Sequence, residues 1–303
     1  MLFKKRTRNI ILISFFFFML IFISTALYYF TALTNTISEM HQPIERSITS
    51  KNQKPIVLEE KEPISILLIG VDQRKGDKGR SDTLILLTVN PKESSVKMVS
   101  IPRDTRTEIV GGGLDDKINH AYAFGGTKMT VDTVEHFFSV PIDYYVLVNM
   151  EAFQGIVDDL GGITINNPLD FNEAGHHFRK GEITLTGYET MLYVRMRKQD
   201  PYGDFGRQQR QREVIRGILN KGASLESLSK IKAILDTLEE NVKTDISFGE
   251  MIDIHEHYKQ TINDIETLEL SGQGKILDGV YYLFVEEEVK LKVQETLLKH
   301  LEL

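Results

Sequence analysis

Two aspartates and a group of arginines carry the chemistry open to this chain. Asp72 follows an apolar run in Gly70-Val71-Asp72-Gln73-Arg74, and Asp82 precedes another in Gly79-Arg80-Ser81-Asp82-Thr83. If the two runs are antiparallel neighbours, both carboxylates fall at one sheet edge. There they can hold a hard divalent cation, because Mg2+ keeps few protein ligands and completes its shell with phosphate and water. An aspartate beside a strand is more commonly a turn or cap residue, so the pair gains weight only from its neighbours. Twelve arginines lie beyond the N-terminal segment, and ten of them are Arg74, Arg80, Arg103, Arg106, Arg195, Arg197, Arg207, Arg210, Arg212 and Arg216, whereas the lysines are dispersed. Guanidinium is a planar fork that binds phosphate oxygens bidentately, so arginines gathered in an acidic chain point to phosphate recognition. Salt bridging on a helix surface accounts for Arg212 and Arg216 but poorly for arginines at strand ends.

The strand end that focuses this reading is Val-Lys-Met-Val-Ser-Ile-Pro-Arg-Asp-Thr-Arg, residues 96–106. A β-favouring run stops at Pro102, which cannot continue a central ladder, and charge follows at once. Ligands of open α/β sheets sit beyond the carboxyl ends of strands, which makes this a place for an anion. Other chemistries find no support. His120, His136, His176 and His177 show no His-x-x-x-His spacing, and there is no Gly-x-Ser-x-Gly elbow, Walker loop or dinucleotide fingerprint. The chain has no cysteine, which excludes thiolate chemistry and disulfides and leaves an apolar core as the source of stability.

The elements that must position these residues follow from the hydropathy pattern. Lys4, Lys5, Arg6 and Arg8 precede residues 10–30, which carry no charge. That run is as long as the roughly 20 residues a bilayer-crossing helix needs, and it exceeds the apolar core of a cleavable signal. The basic tail, residues 1–9, is expected in the cytoplasm and the rest outside, with Tyr28, Tyr29 and Phe30 at the interface. The formal charge is −7, and near −11 once the four N-terminal cations are set aside, which argues against nucleic acid. Residues 31–62 are polar, with Pro43 and Pro55, and read as a linker. One domain is expected over residues 63–303. Strands are expected at Ile64–Val71, 83–89, 96–101, 144–148, Ile163–Asn167, 182–185, 267–270 and Val280–Val285. Helices are expected at 120–124, 127–138, Met150–Leu160, 186–197, 206–221, 225–242, Phe248–Tyr258 and 286–301. Strands alternating with helices imply a layered α/β/α domain with a mixed central sheet.

Taken together these motifs resemble the LytR-CpsA-Psr family of bacterial envelope proteins. The resemblance covers about residues 64–284. It rests on Leu68 to Arg74, Arg80-Ser81-Asp82-Thr83, Ser100-Ile101-Pro102-Arg103-Asp104-Thr105, Lys117-Ile118-Asn119-His120-Ala121-Tyr122, Asp158-Asp159-Leu160-Gly161-Gly162, Tyr193-Val194-Arg195-Met196-Arg197, Asp204-Phe205-Gly206-Arg207 and Arg210-Gln211. It implies a phosphotransferase that moves an anionic glycopolymer, such as wall teichoic acid, from a polyprenyl pyrophosphate carrier to the muramic acid 6-hydroxyl of peptidoglycan. Carried over by position, Asp72 and Asp82 would bind Mg2+ (or Mn2+), and Arg80, Arg103, Arg195, Arg197, Arg207 and Gln211 would hold the pyrophosphate. Arg103 with the two aspartates would form the catalytic centre. Arg74, Asp104, Lys117, Asn119 and Asp204 would line it, with Arg106 peripheral. Asp104 and Asp204 are candidates for the general base, although an ion pair that orients Arg103 is the preferred role for Asp104. Gly187 to Leu192 departs from the Gln-Ala-Leu common in the family's helix, which touches packing rather than phosphate binding.

A lipid-linked donor also needs an apolar channel, and Phe124, Phe137, Phe138, Tyr145 and Phe153 are candidates to line one. Helices bury such residues in any case, so ordinary core is the expectation for them. Two further functions fit the same residues: a pyrophosphatase acting on the same donor, and a non-enzymatic module that binds lipid phosphate. The paired aspartates argue against the second, since arginines alone suffice for binding.

Overall fold

The computed structural model describes residues 2–45, 56–72, 79–197, 199–222, 231–261 and 264–303. Its N-terminal helix α1 (Leu2–Met40) does not stop at Phe30, where the span was expected to end. Residues Phe16–Met40 are long and apolar enough to cross a membrane. The last turns carry alternating polar and apolar side chains because they dock on the domain. Ile37 and Met40 are buried, Thr36 Oγ1 donates to Glu239 Oε2 at 3.3 Å, and Lys243 Nζ donates to the Glu39 carbonyl at 2.9 Å. Part of the expected linker is thus the docking end of α1.

In chain order the elements that follow are β1 (Ile64–Val71), β2 (Ser81–Asn90), β3 (Ser95–Ile101), β4 (Arg106–Ile109), β5 (Leu114–Lys117), α2 (His120–Phe138), β6 (Tyr144–Asn149), α3 (Met150–Leu160), β7 (Ile163–Asn167), β8 (Phe171–Glu173), β9 (His176–Phe178) and β10 (Gly181–Leu185). Then come α4 (Gly187–Arg195), α5 (Asp204–Gly222), α6 (Ile231–Asn241), β11 (Val242–Thr244), α7 (Phe248–Tyr258), β12 (Ile265–Leu268), β13 (Gly272–Leu277), β14 (Val280–Val285) and α8 (Glu287–His300). The central sheet has the order β11-β6-β1-β2-β3-β12. Strand β1 is parallel to β6, β12 is parallel to β3, and β2 runs antiparallel between β1 and β3. The expected mixed sheet in a layered α/β domain is what forms.

Both faces of the sheet are covered, which is why its strands read as near-continuous apolar runs. Alternate side chains of one strand face opposite ways. Leu67, Ile69 and Val71 of β1 join Leu84, Leu86, Val99 and Tyr145 in a core closed by Val131, Val134, Phe137 and Phe138 of α2 and Val293 and Leu297 of α8. Ile64 of β1, with Val89, Val96 and Tyr144, packs on the opposite face against Tyr258 of α7. A separate cluster unites α3, α4, α5 and the β7–β10 region around Val157, Ile163, Phe171, Tyr193 and Val214. Phe137, Phe138 and Tyr145 are therefore ordinary core, Phe124 is exposed, and the side chain of Phe153 lies outside the described residues.

Some elements differ from the sequence expectation. The helix expected over 225–242 ends at Asn241, and Val242 starts the short edge strand β11. The last sheet strand forms two residues early, at Ile265–Leu268. The β4–β5 and β8–β9 hairpins lack apolar periodicity; Arg106, Glu108, Asp115, Asp116 and Lys117 supply little to bury. Helix α2 is one element with a break at Gly125 and Gly126, matching the two helical stretches expected there.

One irregularity decides the geometry that matters. Gly70 pairs with Thr83 but Val71 pairs with Ser81, so Asp82 is the extra residue of a bulge in β2. The bulge brings Thr83 so close that a Cβ added to Gly70 would lie 2.9 Å from the Thr83 Cβ. Gly70→Ala is therefore expected to destabilise the domain by about 1–3 kcal/mol through overpacking. A urea denaturation curve would check it, an unchanged midpoint contradicting the close approach.

Candidate active site

Strands β1, β3 and β6 run in the same direction, so their carboxyl ends share one edge with the beginning of β2. Asp72 follows β1 directly, Asp82 sits in the bulge, and Arg103 lies two residues beyond β3. Arg103 Nη1 donates to Asp82 Oδ1 at 2.9 Å, and Arg103 Nε lies 3.8 Å from Asp104 Oδ2. Asp104 in turn accepts from Lys117 Nζ at 2.7 Å. On the β1 side, Arg195 Nη2 stands 3.5 Å from Asp72 Oδ1. Arg103 and Asp82 side chains are 26% and 30% exposed, so the pair is oriented yet open to an incoming anion.

The backbone of the Pro102 loop is fixed from three sides. Thr105 N donates to the Pro102 carbonyl at 3.0 Å, Leu283 N of β14 to the Asp104 carbonyl at 2.8 Å, and Asn119 N to the Arg103 carbonyl at 3.4 Å. Ser81 Oγ reaches the Asn119 carbonyl at 3.4 Å, tying the start of α2 to the bulged strand. Asn119 is itself 4% exposed, and its Oδ1 is buried without a hydrogen-bond partner among the described residues.

The second wall comes from α4 and α5. Helix α4 starts with a capping box: Glu189 N donates to Thr186 Oγ1 at 3.3 Å, and Thr186 N donates to Glu189 Oε2 at 2.9 Å. The Thr186 N–H bond is the largest influence on the Glu189 carboxyl and holds it below its ordinary value. The helix ends at Arg195, beside Asp72. Arg210 of α5 then pins the following loop. Its side chain is 1% exposed, pairs with Asp200, and donates to the carbonyls of Tyr193, at 3.0 Å, and Met196. Phe171 and Tyr193 stack near the guanidinium, 5.5 and 5.9 Å from their ring centres. Arg210 is thus a structural residue that holds the segment carrying Arg195 and Arg197.

The remaining sequence candidates are placed as follows. Arg80 and Arg197 are exposed near the start of β2 and after α4, and Arg207 and Gln211 are buried one turn apart on α5. Arg212, first assigned to surface salt bridging, instead reaches the sheet and donates to Ser100 Oγ at 3.0 Å, while Arg216 does pair with Glu213 at 2.9 Å. Arg106 pairs with Asp115 at 2.8 Å and lies over the Phe284 ring, away from the aspartates. Arg74 lies outside the described residues, as does the side chain of Asp204.

Whether a divalent ion suits this edge is a matter of donor chemistry. Asp72 and Asp82 offer hard oxygen donors, each already facing one arginine, and among the described residues no group of three or more acidic or histidine side chains could form a full protein cage. Two carboxylates completed by phosphate and water suit Mg2+ and not a cage-bound metal.

One cluster was not anticipated. His120 Nδ1 lies 2.6 Å from Asp116 Oδ2, and Asp116 Oδ1 accepts from Tyr282 OH at 3.2 Å. Burial is the largest single influence on the Asp116 carboxyl and pushes it up. Hydrogen bonds from His120 and from the Lys117 N–H outweigh burial and hold the carboxyl below its usual range. The sequence signal was the Asp-x-x-x-His spacing over 116–120, masked because β5 and the start of α2 meet there.

Two arginine–carboxylate pairs at the carboxyl edge of a mixed α/β sheet, in a domain with the motifs noted above, define the class of domain the sequence motifs suggested. The chain belongs to the LytR_cpsA_psr family, whose model matches residues 27–299. It is 50% identical over 277 residues to the Bacillus subtilis (strain 168) polyisoprenyl-teichoic acid–peptidoglycan teichoic acid transferase TagU, covering 91% of this chain and 90% of that protein. The crystal structure of B. subtilis TagU superposes with a TM-score of 0.66 at 51% identity, covering 80% of this chain and 98% of that one. The structure of TagT bound to LIIa-WTA superposes with a TM-score of 0.72 at 33% identity, covering 86% and 97%.

Two stability measurements follow. Arg210→Ala strands Asp200 in the interior and should cost about 3–5 kcal/mol; a loss under 1 kcal/mol on chemical denaturation would contradict the structural role. Thr186→Ala should cost about 1 kcal/mol at neutral pH. Glu189 has a depressed pKa, so its contribution is full above its ordinary value of 4.5 and fades as pH falls through the lower folded value. The Tm difference between the two proteins should shrink below that pH.

Proposed function

We propose that the protein transfers an anionic glycopolymer of the teichoic acid class from a polyisoprenyl pyrophosphate carrier to peptidoglycan, forming a phosphodiester and releasing polyisoprenyl phosphate. The observation that carries this is the Asp82–Arg103 and Asp72–Arg195 pairing at one strand edge, in a chain half identical to a teichoic acid transferase along nearly its full length. The N-terminal helix serves as a single-pass anchor. The basic residues Lys4, Lys5, Arg6 and Arg8 support a cytoplasmic N-terminus with the domain on the outer face, where both donor and acceptor reside.

Phosphoryl transfer requires little covalent help from the protein; positioning and neutralisation of developing charge dominate. Arg103 supplies the principal guanidinium, with Asp82 and Asp104 fixing its plane toward the sheet edge where a phosphate oxygen would sit. Arg195 approaches from the α4 wall, and Arg80, Arg197, Arg207 and Gln211 extend the cradle along the pyrophosphate. Asp72 and Asp82 would hold Mg2+, which would withdraw charge from the pyrophosphate oxygens. Lys117 holds Asp104 in place, which leaves Asp104 in an ion-pair role and not that of a base.

Arg103→Ala should lower transfer by about 100-fold or more, in line with removal of one preorganised charge donor, while thermal unfolding stays near that of the wild type. EDTA should abolish transfer and added Mg2+ restore it. Both are read as labelled glycopolymer joined to glycan strands. Undiminished transfer by the variant would overturn the assignment, and phosphate release without acceptor at the rate of transfer would instead indicate a pyrophosphatase.

A further inference from the structure

We propose that His120, held by Asp116, is the general base that activates the acceptor hydroxyl. This rests on the transferase reading above and supplies the one role it leaves open. Three observations carry it. The Asp116 carboxylate takes Nδ1 of His120 at 2.6 Å, leaving Nε2, which makes no hydrogen bond among the described residues. A carboxylate on one imidazole nitrogen fixes the tautomer and ring orientation and stabilises the imidazolium that forms when the other nitrogen takes a proton. Both side chains are part-buried, 21% and 16% exposed, so the dyad is shielded yet reachable.

The dyad is also built onto the phosphate edge. The residue before His120 is Asn119, whose N–H donates to the Arg103 carbonyl and whose carbonyl accepts from Ser81, next to Asp82. Asn119 also keeps its buried Oδ1 without a donor among the described residues, as expected of a group that orients a hydroxyl. From the other side Tyr282 OH holds Asp116, and Lys117, beside Asp116, lies over the Tyr282 ring while bonding Asp104. Arg103, Asp104, Lys117, Asp116 and His120 thus form a continuous polar path from the clamp to the base. The charged and titratable groups on the elements next to His120 are Asp115, Asp116 and Lys117 of β5, Arg106 and Glu108 of β4, Tyr281 and Tyr282 of β14, and Arg103 and Asp104 of the loop; of these Asp116 bonds His120 directly, and Tyr282 and Lys117 reach it through Asp116.

In the step, the acceptor sugar O–H proton passes to His120 Nε2 as that oxygen forms a bond to the glycopolymer-bearing phosphorus. The bond from this phosphorus to the bridging oxygen breaks, and the electron pair leaves with polyisoprenyl phosphate. Asp104, bridged between Arg103 and Lys117, has no comparable freedom.

The test uses the full-length protein in lipid vesicles with a polyprenyl-pyrophosphate-linked sugar donor and uncrosslinked glycan strands as acceptor. His120→Ala is expected to slow transfer by about 100- to 10,000-fold, to keep donor binding, and to lose the fall in rate on the acid side of the pH profile; imidazole should restore part of the rate. Asp116→Asn should slow transfer less and shift the acid limb. A rate within threefold of wild type, an unchanged acid limb, or a loss of donor binding equal to the loss of rate would each overturn the base role. No product from the wild-type protein would instead defeat the transferase reading on which it depends.

Discussion

The structure depends on one electrostatic constraint: cationic side chains brought to a single sheet edge must be compensated without being used up. Arginines at close quarters repel one another, and a buried guanidinium without a partner is costly. Here each wall pairs a cation with a carboxylate that is itself anchored to a strand end. Asp82 takes Arg103, Asp72 takes Arg195, and Asp104 takes Lys117. The pairs remain partly exposed, so their worth lies in orientation more than in stability.

The fold makes that compensation possible through two local devices. The bulge in β2 turns Asp82 outward at the point where β1 ends, and Gly70 allows the approach it requires. The Arg210–Asp200 pair does the opposite job: fully withdrawn from water, it spends its charge on holding the Tyr193 to Met196 backbone, so that neighbouring arginines stay exposed at the rim. One cation is structural, and Arg195 and Arg197 beside it stay exposed. Gly206 fits the same logic, since a side chain there would collide with Asp200.

Much of this was legible in the sequence because it lies in strand ends and helix stops with strong local signals. Long apolar runs marked β1, β2 and β3, and Pro102 with Arg103 marked the edge. The placement of Asp72 and Asp82 at one sheet edge needed only the assumption that β1 and β2 are antiparallel. Features resting on long-range partners were not legible. Arg210 looked like any other arginine of the cluster, and nothing local says that it is buried. The polar β4–β5 hairpin carries no hydrophobic period, so the Asp116–His120 dyad it builds stayed hidden, and His120 was weighed only as a metal ligand. The docking of α1 against Lys243 and Glu239 joins residues some 200 positions apart in sequence.

In the proposed reaction Asp72, Asp82, Arg103 and Arg195 together receive the lipid-linked pyrophosphate. The most direct measurement is a crystal structure of the protein with a polyprenyl-pyrophosphate-linked sugar and Mn2+, read by anomalous scattering. The expected result is a metal peak against Asp72 and Asp82 with the pyrophosphate oxygens on Arg103 and Arg195. A pyrophosphate bound elsewhere, with the Asp82–Arg103 pair undisturbed and no metal at the aspartates, would contradict it.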